Sequence, residues 1–493
     1  MTATPDVYDA IIIGSGQAGT PLAAAFAKAG QKTVLIDRSH IGGCCVNEGC
    51  TPTKTLIASA RAAYVTRRGQ NYGIHTKNPS TSKYGKNEVI VDMLRVRERK
   101  REIVESFRGG NEKRVDDAGV SVLMGSAGFV DGKTVKVHLN AGGEKVVRGE
   151  KIFINVGERP APPSLQGVES LDPKIVLDST SIQELDVVPE HLVVVGGGYV
   201  GVEFAQYMSR LEARVSIVQR GKQLLPREDE EIAKVLMDIL TEDGIMTYLS
   251  SSAVSIAPSL SSPGFNLKIK TPDGEQEISG SHILFASGRI PNTSTLNLQA
   301  AGITTNAKGY IPVNAYLETS TSNIYALGDV KGPPAFTHIS YDDFRIIRSN
   351  LLLSPSSSTS SPETPKQLLT TTVRQNCIPY VVYTDPQLAH IGLHESEARA
   401  LFPLKKIQVA SMPMSWVARA LETDESRGVM KAVVDGESEM ILGFTCLGME
   451  GGEVMAVVQM AMLGNVRWRV LEGAVWAHPS LAEGLNNLWG TLV

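Results

Sequence analysis

Residues 8–37, YDAIIIGSGQAGTPLAAAFAKAGQKTVLID, read as an apolar strand, a glycine-rich turn, an alanine-rich helix and a second apolar strand closing on Asp37. That order of apolar runs and punctuation makes one βαβ unit. The same order returns at 191–220, HLVVVGGGYVGVEFAQYMSRLEARVSIVQR, with nearly the same spacing. Two nucleotide-fold units are therefore expected. Stretches 133–139 and 265–269, with the turn Pro272-Asp273-Gly274 after the second, read as β excursions from these α/β domains. Residues 354–365, SPSSSTSSPETP, carry no apolar side chain except proline and cannot repay the entropy of ordering, so a flexible surface insertion is expected there. From Arg374 a separate α+β segment begins, with strands predicted at 380–383 and 431–434 and an apolar helix near 452–463. The run RVRERKRE at 95–102 alternates in sign, which predicts a solvated helical face.

At roughly 100 to 200 residues per domain, 493 residues hold two to four domains. With Lys+Arg 48 against Asp+Glu 52 the formal net charge is −4, so no global basic field exists to hold nucleic acid or an anionic membrane. Five cysteines are too few for a disulfide-built secreted chain, and MTATPDVYDA lacks the charged and apolar regions of a signal peptide. A cytoplasmic protein is expected. The apolar stretch at 454–463 is interrupted by Gln459 and falls far short of the ~20 residues that span a bilayer.

Gly14, Gly16 and Gly19 satisfy G-x-G-x-x-G between strand and helix, where bare backbone lets a pyrophosphate rest on the helix N-terminus. Asp37, 23 residues beyond Gly14, can accept bonds from the hydroxyls of an adenosine ribose. Gly196, Gly198 and Gly201 repeat the template, but the second strand ends in Gln219-Arg220. An amide followed by a guanidinium suits a 2′-phosphate, favouring NADPH over NADH, with NADH still possible.

Cys44, Cys45 and Cys50 fall within seven residues, just ahead of a helix whose first turn takes Pro52. A helix N-terminus stabilises thiolate, which predicts a lowered thiol pKa suited to exchange with a disulfide or to holding charge beside an electron carrier. Zinc wants four ligands, and no nearby Cys-x-x-Cys or histidine pair completes them, so no metal site is expected.

These residues resemble the class I pyridine nucleotide-disulfide oxidoreductases, the family of glutathione reductase, dihydrolipoamide dehydrogenase and mercuric reductase, over nearly the whole chain. The most specific motif, GG-x-C-x-N-x-G-C-x-P-[ST]-K, is matched by Gly42, Gly43, Cys45, Asn47, Gly49, Cys50, Pro52, Thr53 and Lys54. FASGRIPNT at 285–293 and TSNIYALGDV at 321–330 match two further signatures, and FTHISYDDFRI looks most like the mercuric-reductase-like branch, which includes bacterial reactive-chlorine-resistance flavoproteins.

The resemblance implies two Rossmann-like dinucleotide-binding domains and a C-terminal α+β dimerisation domain. It divides the chain into an FAD-binding domain at 1–158 and 284–353, an NAD(P)H-binding domain at 159–283, the insertion at 354–373 and the dimerisation domain at 374–493. FAD would lie on Gly14, Gly16 and Gly19, with Asp37 at the ribose and Asp329 at the ribityl chain; Gly157 and Gly288 would also border the cofactors. Cys50 would be the flavin-side thiol and Cys45 the interchange thiol. Lys54 and Glu203 would pair beside the flavin ring, and Tyr199 would gate the nicotinamide pocket. The final segment AVWAHPSLAEGLNNLWG matches the family's HP-x-x-x-E at His478 and Glu483, implying an imidazole base oriented by a carboxylate that serves the other subunit of a homodimer.

The function so implied is transfer of electrons from NADPH through FAD to a Cys45/Cys50 disulfide and on to a small-molecule acceptor. A disulfide acceptor gives His478 proton work; a quinone or metal ion is the branch's alternative, and a flavin-bound redox sensor that does not turn over is a third reading. Two features depart from the relatives. Cys44 stands where they usually have threonine, and the chain ends LWGTLV without the terminal cysteine pair of mercuric reductases.

Overall fold

The computed structural model describes residues 5–75, 89–260, 263–353 and 368–493. Two compact units emerge: 1–55, 98–161 and 288–373 in the first, and 56–97, 162–287 and 374–493 in the second.

In the first unit, β1 (Asp6–Ile13) leads through the glycine turn into α1 (Gly19–Lys28) and β2 (Thr33–Asp37), as the apolar pattern predicts. β1 pairs in parallel with β2 on one side and with β5 (Glu144–Ile154) on the other, so Ile11 and Ile12 are fully buried. β3 (Ser121–Phe129) and β4 (Thr134–Leu139) continue the sheet, and Ile324–Ala326 adds a parallel strand beside β5. Phe153 packs between Phe26 and Tyr325, with ring centroids 5.1 and 5.2 Å away, and fixes α1 to the sheet. Between β2 and β3 lie α2 (Gly43–Asn47), α3 (Cys50–Arg67) and α4 (Met93–Asp117).

The second unit holds a five-stranded parallel sheet containing His191–Val195 and Arg214–Val218, with the helix Tyr199–Arg210 between them. A three-stranded antiparallel sheet follows, its hairpin closing at Thr271 opposite Gly274, the turn expected from Pro272-Asp273-Gly274. The C-terminal segment forms a five-stranded antiparallel sheet, including Tyr380–Val382, Gln387–Gly392 and Val429–Asp435, with the helix Gly451–Leu463 packed against it. The fold is thus two dinucleotide-binding α/β arrangements and an α+β segment.

Of the insertion expected at 354–373, residues 354–367 lie outside the described residues; the remainder is held, Leu369 bonding the Asn350 side chain and Thr371 the Ala315 carbonyl. One element of the charge run departs from expectation. Along 95–102 most charged residues are exposed, but Lys100 is 3% exposed, turned inward on α4. Among the described residues no helix is long and apolar enough to cross a membrane.

Candidate active site

The cysteine segment folds as a short helix followed by the start of a long one rather than as a loop before one helix. Cys44 and Cys45 lie within α2, and Cys50 is the first residue of α3. Gly42 enters α2 at φ +107°, where an L side chain is strained, and a Cβ on Gly49 would come within 3.0 Å of the Cys44 carbonyl. Asn47 ties the step together: its amide donates to the carbonyls of Ile41 and Gly43 at 3.1 and 2.9 Å, and its oxygen accepts from Arg108 at 2.8 Å.

Cys45 and Cys50 are free thiols in hydrogen-bond contact, and Thr337, opening the helix Thr337–Leu351, sits 3.3 Å from the Cys50 sulfur. The predicted lowering of a thiol pKa does not apply to Cys45. Its bond to Cys50 pushes it up, with burial adding to the shift. Cys44 is also pushed up, chiefly by burial, against the Arg289 guanidinium 3.6 Å from its sulfur. Arg289 is anchored in turn by the carbonyl and carboxylate of Glu158, which accepts from Tyr310 at 2.7 Å. Burial, and then the Glu158 charge, push Asp329 up to about 6.

The first glycine turn fits the pyrophosphate of FAD. The backbone N–H groups of Gly16, Gln17 and Ala18, at the head of the ten-residue α1, make no hydrogen bond to the described residues. A Cβ on Gly19 would stand 2.0 Å from the Gly14 carbonyl, so only glycine lets the helix approach. Asn155, which sequence reasoning missed, holds this turn by accepting from the Gly19 N–H at 2.9 Å and donating to the Leu327 carbonyl at 2.7 Å. Gly157, at φ +64°, has open space where a side chain would begin, as does Gly288 at φ +146°.

Asp37 has a second duty beyond that expected of it. One carboxylate oxygen accepts both the N–H and the hydroxyl of Ser15, at 2.9 and 2.6 Å, bracing the glycine turn; the other accepts the Ser39 N–H at 2.9 Å. Gln219 repeats the brace in the second unit. Its oxygen accepts the Gly197 N–H at 3.1 Å and its amide donates to the Gln223 carbonyl at 3.1 Å, leaving the exposed Arg220 to face solvent. Gly201 copies Gly19, its Cβ position 1.9 Å from the Gly196 carbonyl, and open space surrounds Gly198. The Tyr199 hydroxyl donates to Glu228 at 3.2 Å.

Lys54, half-buried on α3, belongs to the first unit, while Glu203, 6% exposed and accepting the Tyr383 N–H at 2.7 Å, belongs to the second. His478 and Glu483 meet as expected, the imidazole Nδ1 lying 2.9 Å from the carboxylate. The imidazole is 71% exposed and the carboxylate 18%, so the more buried carboxylate holds an imidazole that faces outward.

Residues 8–343 match the family described as "Pyridine nucleotide-disulphide oxidoreductase", and 378–488 match its dimerisation domain. The chain is 34% identical to the probable pyridine nucleotide-disulfide oxidoreductase RclA of Escherichia coli, covering 98% of both chains. It is 30% identical to the mercuric reductase of Staphylococcus aureus, covering 97% of this chain and 81% of that one. The solved Cu(II) complex of the HOCl-induced flavoprotein disulfide reductase RclA from Escherichia coli superposes with a TM-score of 0.84 at 33% identity, over 98% of this chain and 99% of that one. The glycine turns, the paired thiols and these likenesses agree: the chain belongs to the pyridine nucleotide-disulphide oxidoreductase family and is a flavoprotein oxidoreductase using FAD and NAD(P)H.

Proposed function

We propose that the protein is a homodimeric, cytoplasmic disulfide reductase that takes its electrons from NADPH, with its FAD-binding parts at 1–158 and 284–353, its nucleotide-binding part at 159–283 and its dimerisation part at 374–493. The observation that carries this reading is the contact between the free thiols of Cys45 and Cys50. FAD, when bound, supplies the two-electron relay between nicotinamide and sulfur. Gly14, Gly16, Gly19 and Asp329 would hold it, with Lys54 beside its ring. Cys50 would be the flavin-side sulfur, and Cys45 attacks the substrate disulfide, forming a mixed disulfide and releasing one thiol. Cys50 then attacks Cys45, releasing the second thiol and restoring the intramolecular disulfide. His478 of the partner subunit, fixed by its own Glu483, takes the proton from Cys45 and returns it to the leaving sulfur. The outward face of that imidazole supports service to a second copy of the chain.

Oxidation of NADPH by the purified protein, assayed against disulfides, quinones and metal ions, tests the acceptor; a turnover rate highest with disulfides is expected. A metal-ion acceptor is the second reading, favoured by the third thiol, Cys44, beside the pair. Nucleotide preference follows from Arg220. A charge-assisted bond to a 2′-phosphate contributes about 1.5–3 kcal/mol, so Arg220→Ala raises KM for NADPH about 10- to 100-fold and leaves KM for NADH nearly unchanged. Equal losses with both nucleotides would remove the basis for that preference.

A further inference from the structure

Three side chains with no part in the disulfide chemistry meet in the second unit. Glu228 precedes the helix Glu230–Glu242, His390 lies in the strand Gln387–Gly392, and His394 heads the helix Glu395–Leu401. One ligand-type atom from each lies within 4.8 Å of the others, and the residues are 4, 2 and 7% exposed. The two imidazoles stack at 3.8 Å. The Tyr380 hydroxyl lies between acid and base, donating to Glu228 Oε1 at 2.6 Å and standing 3.2 Å from His394 Nε2. One buried oxygen, Glu228 Oε2, is left without any hydrogen bond.

Charge makes the same point as the orphaned oxygen. A carboxylate this deeply buried must be protonated or paired. Among the described residues no ion pair reaches Glu228, and the nearby ammonium of Lys431 is committed to Asp229, Glu231 and Glu395 at 2.8, 2.5 and 2.8 Å.

We propose that Glu228, His390 and His394 bind a divalent transition cation of the zinc class, with the Tyr380 oxygen completing the set. Two imidazoles and one carboxylate suit a borderline-soft ion rather than calcium or magnesium, which prefer oxygen alone. Zinc ligands at ~2.0–2.1 Å lie about 3.3 Å apart around a tetrahedron, so the donors close by roughly an ångström or more on binding. Both nitrogens of His390 are already oriented, by the Thr445 hydroxyl at 2.8 Å and the Gly392 carbonyl at 3.1 Å, and the hydroxyl is the partner free to rotate away. Glu228 also accepts from Tyr199, so occupancy fixes the Tyr199–Tyr380 ring pair, whose centroids lie 5.6 Å apart.

The test uses the flavin-loaded protein with Cys44, Cys45 and Cys50 all changed to serine, so that the redox thiols cannot compete. After equilibrium dialysis against micromolar zinc, elemental analysis is expected to find one zinc per chain. Glu228→Gln and His394→Gln, each with the parent's flavin content and circular dichroism, are expected to weaken binding by about 100-fold or more, since even outer partners of a metal ligand account for 10- to 100-fold. Cobalt added to the triple-serine parent is expected to give weak visible bands without sulfur charge transfer, a readout that needs no ligand variant. No zinc and no cobalt spectrum in that parent would overturn the proposal and leave a proton-sharing network. Zinc retained unchanged in both variants would overturn it equally.

Discussion

Cys45→Ser abolishes disulfide reduction, lowering kcat/KM by about 10⁴-fold or more, the scale on which loss of a covalent nucleophile acts. The serine hydroxyl cannot form the mixed disulfide, and Cys50 is left with no partner to close on. Its effect on structure is expected to be small, because Cys45 is only half-buried and α2 is held by Asn47 and its neighbours. FAD content therefore stays at the parent level. NADPH oxidation with a quinone persists, because that route does not pass through sulfur. Steady-state assays with both acceptors on one preparation check this, and parallel loss of both activities would instead mean that the cofactor site had been damaged.

His478→Gln is expected to lower disulfide turnover by about 10²- to 10⁴-fold, the usual contribution of a positioned general base. The glutamine keeps a polar side chain near Glu483 but cannot carry the proton between sulfurs, so the pH dependence of the remaining rate should lose the limb that reports the base. Glu483→Gln should cost less, since the imidazole survives without its orienting acid. Mixed dimers show whether the base acts between subunits. A His478→Gln chain paired with a Cys45→Ser chain regains one complete site if each imidazole serves its neighbour, and none if it serves its own chain. Activity near half that of the parent in the purified mixed dimer is expected; an inactive mixed dimer would place the base within its own subunit.

What the sequence made legible was local in the chain. Strand, glycine turn and helix in both dinucleotide units are written in contiguous residues, and so are the cysteine segment and the pair His478 and Glu483, five residues apart. What it hid depended on distant segments meeting. Asn155 braces a turn 136 residues away, and Thr337 reaches Cys50 across 287. Glu228, His390 and His394 come from separate elements, and no spacing rule joins them. Asp37 ends its strand and Gln219 directly follows the equivalent one, and each holds its glycine turn in shape, a duty the sequence did not show. The upward shift of Cys45 was hidden for the same reason, since it comes from the contact with Cys50 and from burial, which only the folded chain brings about.

The central claim is that electrons from the nicotinamide reach the Cys45/Cys50 pair. Air-oxidised protein is mixed with NADPH without oxygen, quenched with an alkylating agent and mapped by peptide mass spectrometry. The account predicts that Cys45 and Cys50 change together from a disulfide to two alkylated thiols, and that reduction takes up four electrons per chain, against two in Cys45→Ser. Full uptake of NADPH electrons with both cysteines left in their starting state would contradict it.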